Sequence, residues 1–117
     1  MDIVMDYRKN YQSWLNHPAL CDEGKAELAN VANDEKELEY RFGGELEFGT
    51  AGLRGVIGAG DNRMNIYTVR KATQGLANYL KAHYDSSAVA IAYDCRIKSE
   101  LFAREAARVL AGNGVKV

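Results

Sequence analysis

An α/β domain preceded by a helical arm is what the sequence predicts, on three observations. The apolar run Ala88-Val89-Ala90-Ile91-Ala92-Tyr93 is followed by an amphipathic stretch and then by Val115-Lys116-Val117, a βαβ order whose strands should lie parallel with a right-handed crossover. Up to residue 42 the apolar positions recur instead at helical spacing. Between the two lies Phe48-Gly49-Thr50-Ala51-Gly52-Leu53-Arg54-Gly55, with glycine at every third position. The division expected is a helical arm over residues 1–42 and an α/β part over 43–117.

Taking the elements in order, Val4, Tyr7, Tyr11, Trp14 and Leu15 fall on one face of a helix from Ile3 to Leu15, which Pro18 should stop by pushing the residue before it out of the α region. A second helix is expected from Asp22 to about Ala32. A third runs to Phe42 with Asp34 as N-cap, and Gly43-Gly44 breaks it. The alternation Glu45-Leu46-Glu47-Phe48 predicts a short strand leading into the glycine-rich stretch, and Val56-Ile57 predicts another after it. A helix capped by Asn65 or Thr68 should extend to His83 with Val69, Ala72, Leu76, Leu80 and Tyr84 on its inner side. The run 88–93 has the look of a strand buried on both faces. Ser99 is placed to cap the last helix, which carries Phe102, Ala106, Val109 and Leu110 inward and should end at Gly112-Asn113-Gly114 through a left-handed residue.

Composition narrows the class of function. At 117 residues, 47% of them hydrophobic and 26% charged, the chain suits one small globular domain rather than a disordered segment. Its longest apolar run is too short to cross a membrane, and Met1-Asp2-Ile3-Val4-Met5-Asp6 has no basic n-region or apolar h-region, which places the expected location in the cytoplasm. Cys21 and Cys95 stand far apart with no C-x-x-C partner, and His17 and His83 are isolated, so neither a metal site nor a disulfide framework is expected. Residues 1–47 hold 5 Lys/Arg against 11 Asp/Glu, while residues 48–117 hold 10 against 5. The basic half contains the glycine-rich stretch but no dense Lys/Arg tract with interleaved aromatics. The partner this favours is a small anion rather than nucleic acid.

Glycine permits turns at φ > 0 and close approach of a ligand, and successive N–H groups in such a loop can converge on an anion. Arg54 adds a permanently charged planar fork suited to phosphate or carboxylate. Phosphate handling is one reading of residues 48–55, and a plain connector with one arginine is the other. The stretch is not a P-loop, having no Lys-Ser or Lys-Thr after the glycines, and Gly58-Ala59-Gly60 does not continue into a dinucleotide fingerprint. Ligands in open α/β sheets sit beyond the carboxyl ends of the strands, where Tyr93-Asp94-Cys95-Arg96 falls. There Arg96 and Lys98 form a second candidate anion contact, or Asp94 simply pairs with Arg96 and pins the loop. Arg63, Arg70 and Lys71 cluster around the start of a helix, where cations are disfavoured unless exposed or beside an anion.

Taken together, Phe48-Gly49-Thr50-Ala51-Gly52-Leu53-Arg54-Gly55, then Arg63-Met64-Asn65 with Thr68-Val69-Arg70-Lys71-Ala72-Thr73-Gln74-Gly75-Leu76-Ala77, then Tyr93-Asp94-x-Arg96-x-x-Ser99 resemble the N-terminal domain of the α-D-phosphohexomutases, in their phosphoglucomutase branch. The resemblance covers about residues 40–117 and implies part of a three-layer α/β/α domain with an N-terminal helical extension. It implies interconversion of glucose 1-phosphate and glucose 6-phosphate through a phosphoserine and glucose 1,6-bisphosphate, with Mg²⁺ held by aspartates of a later domain. Arg54 matches the arginine at the catalytic centre. Thr50 and Gly52 would shape its turn, and Arg96 and Ser99 would sit at the rim. The implied partners are a phosphosugar and the remaining domains of the same polypeptide, with no nucleic acid and no membrane. The family's serine loop, Thr-Ala-Ser-His-Asn-Pro or a close variant, does not occur in these 117 residues. The chain alone is therefore expected to be inactive, and a non-catalytic phosphate-binding module on the same scaffold is the alternative.

Overall fold

A computed structural model describes residues 6–49 and 52–117 of the chain, which divide into two compact units, Met1–Asn65 and Ile66–Val117.

Three short helices build most of the first unit. Helix α1 (Tyr7–Leu15) is capped by the Asp6 carboxylate, which accepts from the Lys9 amide. Its expected first turn from Ile3 lies outside the described residues. Helix α2 (Asp22–Asn30) starts where the Cys21 sulfur accepts from the Gly24 amide. Helix α3 (Glu35–Phe42) has the Asp34 cap that the sequence predicts, accepting from the Glu37 amide, and Gly43 ends it. Helix α1 packs on α3. Leu28, Leu38 and Phe42 are fully buried there, and Phe42 takes edge-on contacts from Tyr11 and Trp14 at 5.8 and 5.9 Å between ring centroids. Burying such rings supplies most of what holds a unit this small together.

The strand expected at Glu45–Phe48 is displaced. Strand β1 (Phe48–Gly49) pairs antiparallel with β2 (Gly52–Leu53), with Phe48 opposite Leu53 and Gly49 opposite Gly52. Alternation alone misplaces it because register is set by the partner, and the partners lie three and five residues on. Val56-Ile57 makes no strand but one parallel bridge, Ile57 to Met64.

In the second unit α4 (Ile66–His83) packs on α5 (Ser99–Gly112). The buried side of α4 is Val69, Thr73 and Ala77, whereas Leu76 and Tyr84 are exposed, so the inner face is rotated from the one expected. Thr73 can be buried because its hydroxyl donates back to the Val69 carbonyl at 2.7 Å. The chain leaves α5 through Gly114 at φ 80°, with the Gly114 amide on the Ala111 carbonyl and the Val115 amide on that of Leu110. This is the predicted left-handed ending, and it turns Val115 back into the core.

Ala88 and Lys116 form the parallel bridge expected of the βαβ unit, with the Val89 amide donating to Lys116 O and the Lys116 amide to Ser87 O. The predicted two-sided burial of 88–93 is not met. Val89 and Ile91 pack against Ala77, Leu110 and Val115, while Ala88, Ala90, Ala92 and Tyr93 are exposed. Successive side chains of extended backbone point to opposite faces, and only one face meets the two helices. Five helices and very little sheet are therefore what the described residues contain.

Candidate functional site

Arg54 follows directly on β2 at the foot of the β1–β2 hairpin. It is exposed, and among the described residues its guanidinium has no hydrogen-bond or ion-pair partner. Gly52, at φ 94° with open space where a Cβ would stand, takes a backbone conformation that other residues adopt only with strain. Thr50 lies outside the described residues.

Both feet of this hairpin hang on one segment of backbone. The Leu46 amide donates to Asp61 O at 3.3 Å on one side, and the Met64 amide to Val56 O at 2.8 Å on the other. Leu46 also lies flat against Gly55, where a Cβ would come within 2.6 Å of its methyl carbon. The segment 58–64 is tied in turn to the helices. Glu27 Oε1 accepts from the Ala59 amide at 3.2 Å, and Arg41 Nη1 donates to Ala59 O at 3.1 Å and to Glu27 at 2.6 Å. Asn62 donates from its amide to Arg41 O and from its side chain to Tyr40 O, and Trp14 Nε1 donates to Asp61 Oδ1 at 2.9 Å. Gly60, at φ 135°, lets the chain pass so close to α3 that a Cβ would meet Arg41 O at 2.9 Å.

Burial would lower the Arg41 pKa, but the hydrogen bonds it donates to Glu27 and Glu37 outweigh it and hold the guanidinium above its ordinary value. Arg63 also reaches Glu37 at 3.3 Å and lies over the Tyr40 ring. Of the three cations that the sequence places around the start of α4, Arg63 has an anion in Glu37 and Arg70 in Glu105, and Lys71 is exposed. Sequence reasoning gave the helical arm no part in the site and so missed Glu27, Arg41 and Trp14 as contacts of this segment. Their partners are 14 to 47 residues distant, and no local pattern announces contacts at such range.

In the second unit Arg96 and Ser99 come together on Asp94. Arg96 donates from Nε to Oδ2 at 2.7 Å and from its amide to Oδ1 at 3.0 Å, and the Ser99 hydroxyl donates to Oδ1 at 2.9 Å. These bonds, the Arg96 amide first, hold the Asp94 carboxyl below its ordinary pKa. Of the two sequence readings of this loop, the pinning one is the one drawn. Ser99 is not the N-cap expected, because its hydroxyl is spent on Asp94. Lys98 precedes the helix at φ 63° without a side-chain capping bond.

An open cleft of about 430 Å³ lined by Lys36, Glu39, Tyr40, Gly43, Gly44 and Asn62 contains none of the sequence-predicted site residues. Among the described residues no three His, Cys, Asp or Glu side chains gather where they could hold a metal ion, and no helix is long and apolar enough to cross a membrane.

Comparison with known proteins decides the family. The model of the phosphoglucomutase/phosphomannomutase α/β/α domain I matches residues 45–117. The chain belongs to that family. Phosphoglucomutase/phosphomannomutase domain I thus contains both the Arg54 hairpin and the Asp94–Ser99 loop. Among curated relatives, the chain is 47% identical over 81 residues to a phosphoglucomutase of Staphylococcus saprophyticus, covering 69% of this chain and 15% of that one. It is 44% identical over 79 residues to one of Staphylococcus haemolyticus, covering 68% and 14%, and 44% identical over 85 residues to one of Staphylococcus aureus, covering 71% and 15%. The chain thus spans about 15% of the length of the relatives it matches. No solved structure matches it.

Proposed function

We propose that this chain forms the amino-terminal part of a phosphosugar mutase that interconverts glucose 1-phosphate and glucose 6-phosphate. A phosphoserine would transfer its phosphoryl group to a sugar hydroxyl, giving the 1,6-bisphosphate. The reoriented bisphosphate would return its other phosphoryl group to the serine, leaving the isomeric monophosphate. The observation that carries the reading is Arg54, an exposed guanidinium with no partner of its own among the described residues, held beside a glycine hairpin in a phosphohexomutase domain I. A guanidinium fork there is suited to bind phosphoryl oxygens and stabilise their charge. Phosphoglucomutase relatives support the sugar.

Thr50 and Gly52 would shape the phosphate loop, with Arg96 and Ser99 at its rim. The described residues do not fit a Mg²⁺ site, so that ion is assigned to other domains of the parent and no step here runs through it. Domain organisation is proposed as a helical arm, 1–42, before the α/β part, 43–117, in a cytoplasmic enzyme that acts on a phosphosugar and not on nucleic acid. Titrating the isotope-labelled chain with glucose 6-phosphate tests this: amide resonances at Gly52, Leu53 and Arg54 should shift, and Arg54→Ala should abolish the response. Equal binding by Arg54→Ala refutes the assignment. The isolated chain should not turn over glucose 1-phosphate.

A second reading is a non-catalytic phosphate-binding module on the same scaffold, in which the exposed Arg54 binds an anion without a serine nucleophile. A reading frame that runs on beyond Val117 into a Thr-Ala-Ser-His-Asn-Pro loop decides for the mutase.

A further inference from the structure

We propose that the helical arm is the positioning frame of the Arg54 hairpin, with Glu27 and Arg41 as the residues that set its place. The inference rests on Arg54 being the phosphate contact and concerns how that contact is held. An arginine whose side chain has no partner among the described residues is aimed there through its backbone. Here the backbone is fixed at Leu46 and Val56, both bonded to the segment 61–64. That segment continues from Ala59, whose amide and carbonyl are taken by Glu27 and Arg41 respectively, 32 and 18 residues away in sequence.

Packing of Leu28, Leu38 and Phe42 already accounts for cohesion of the helices. The Arg41–Glu27 ion pair is only partly buried, and such a pair adds little net stability, because desolvation and solvent screening offset its attraction. What the pair adds is direction: Glu27 presents an acceptor to the N–H and Arg41 a donor to the C=O of the same residue, so Ala59 has a single place to sit. Trp14 fixes the other end of the same segment through Asp61, the residue whose carbonyl receives Leu46. Glu27, Arg41 and Trp14 are positioning residues in this account and touch no substrate.

The test uses the whole 117-residue chain and two readouts, amide hydrogen exchange without ligand and titration with inorganic phosphate followed at the Arg54 amide. Glu27→Ala should speed exchange at Ala59 and Met64 and weaken phosphate binding by about three- to tenfold, the loss of one or two oriented hydrogen bonds. Glu27→Gln keeps the acceptor oxygen and should stay within about twofold of the parent chain. Trp14→Phe removes the donor to Asp61 while keeping an aromatic ring, though a smaller one, against Phe42, and should speed exchange at Leu46 while weakening phosphate in the same direction, which keeps the inference testable if Glu27→Ala does not fold. Unchanged exchange at Met64 and unchanged phosphate affinity in Glu27→Ala overturn the proposal. Equal losses in Glu27→Ala and Glu27→Gln overturn it too, because they would assign the effect to charge. If the parent chain gives no Arg54 response to phosphate, the phosphate reading fails, and exchange alone then decides whether the frame exists.

Discussion

Arg70 Nε donates to Glu105 Oε2 across 2.8 Å and joins α4 to α5 inside the second unit. Glu105 is buried, and the Arg70 hydrogen bond outweighs the opposing effect of burial, holding its carboxyl below the ordinary value of 4.5, with Arg108 and Arg104 adding in the same sense.

The sign of the pH dependence follows. A carboxyl whose pKa is lower in the folded state than in the unfolded one contributes its full stabilisation above the unfolded value. That contribution is lost as pH falls through the folded value. Stability of the second unit should thus be flat near neutral pH and decline below about pH 4.5. Glu105→Gln should lower stability at neutral pH by about 1–2 kcal/mol and flatten the acid limb. Urea midpoints measured between neutral pH and acid for both chains check it, and an unchanged acid limb in the variant counts against Glu105 as its source.

Gly60 tests how closely the segment 58–64 must approach α3. At φ 135° a side chain is strained, and a methyl group would also press on Arg41 O. Gly60→Ala should cost about 1–3 kcal/mol, and the Asn62 amide, which donates to Arg41 O, should exchange faster. A variant as stable as the parent would mean that the segment gives way, which would weaken the case for a rigid frame.

How far the chain could be read in advance depended on the range of the interactions. Caps and endings are mostly local, so Asp34, the end of α5 and the left-handed Gly114 agreed with expectation, while the Ser99 cap did not because its hydroxyl bonds Asp94. The parallel pairing of Ala88 with Lys116 was legible because a helix separates two apolar runs. The β1–β2 pairing was not, since short strands are placed by partners rather than by alternation. At the candidate site Arg54 stood out by residue type beside glycines. The role of Glu27 and Arg41 was hidden because surface-looking charges at helical spacing carry no sign that one backbone unit far along the chain lies between them.

Asp94 offers a different check, because it is exposed and its bonds are local. Protonation should have a midpoint below the ordinary 3.8, read by NMR at its carboxyl carbon as pH is lowered. Asp94→Asn keeps an oxygen for the Arg96 amide and the Ser99 hydroxyl but loses the charge facing Arg96 Nε. The expected outcome is a shifted Arg96 Nε resonance with an unchanged melting temperature, since exposed ion pairs contribute little. A clear fall in melting temperature would make the loop structural in its own right.

Phe42 is where the helical arm should be most sensitive. Its ring is fully buried, Tyr11 and Trp14 meet it edge-on, and its carbonyl accepts from Asn10 Nδ2 at 3.0 Å. Phe42→Ala leaves those two rings facing a cavity and should cost about 3–5 kcal/mol, a large share of the stability available to a small domain. Trp14 is the one tryptophan of the chain, so its fluorescence reports this core directly. A red-shifted emission and a much lower urea midpoint are expected for Phe42→Ala, and Phe42→Leu should fall between it and the parent chain because it refills part of the space. If the same variant also abolishes the Arg54 response to phosphate, the core and the Glu27–Arg41 frame act through the same segment. Retention of phosphate binding with the core melted would instead show that the hairpin holds its shape without the arm.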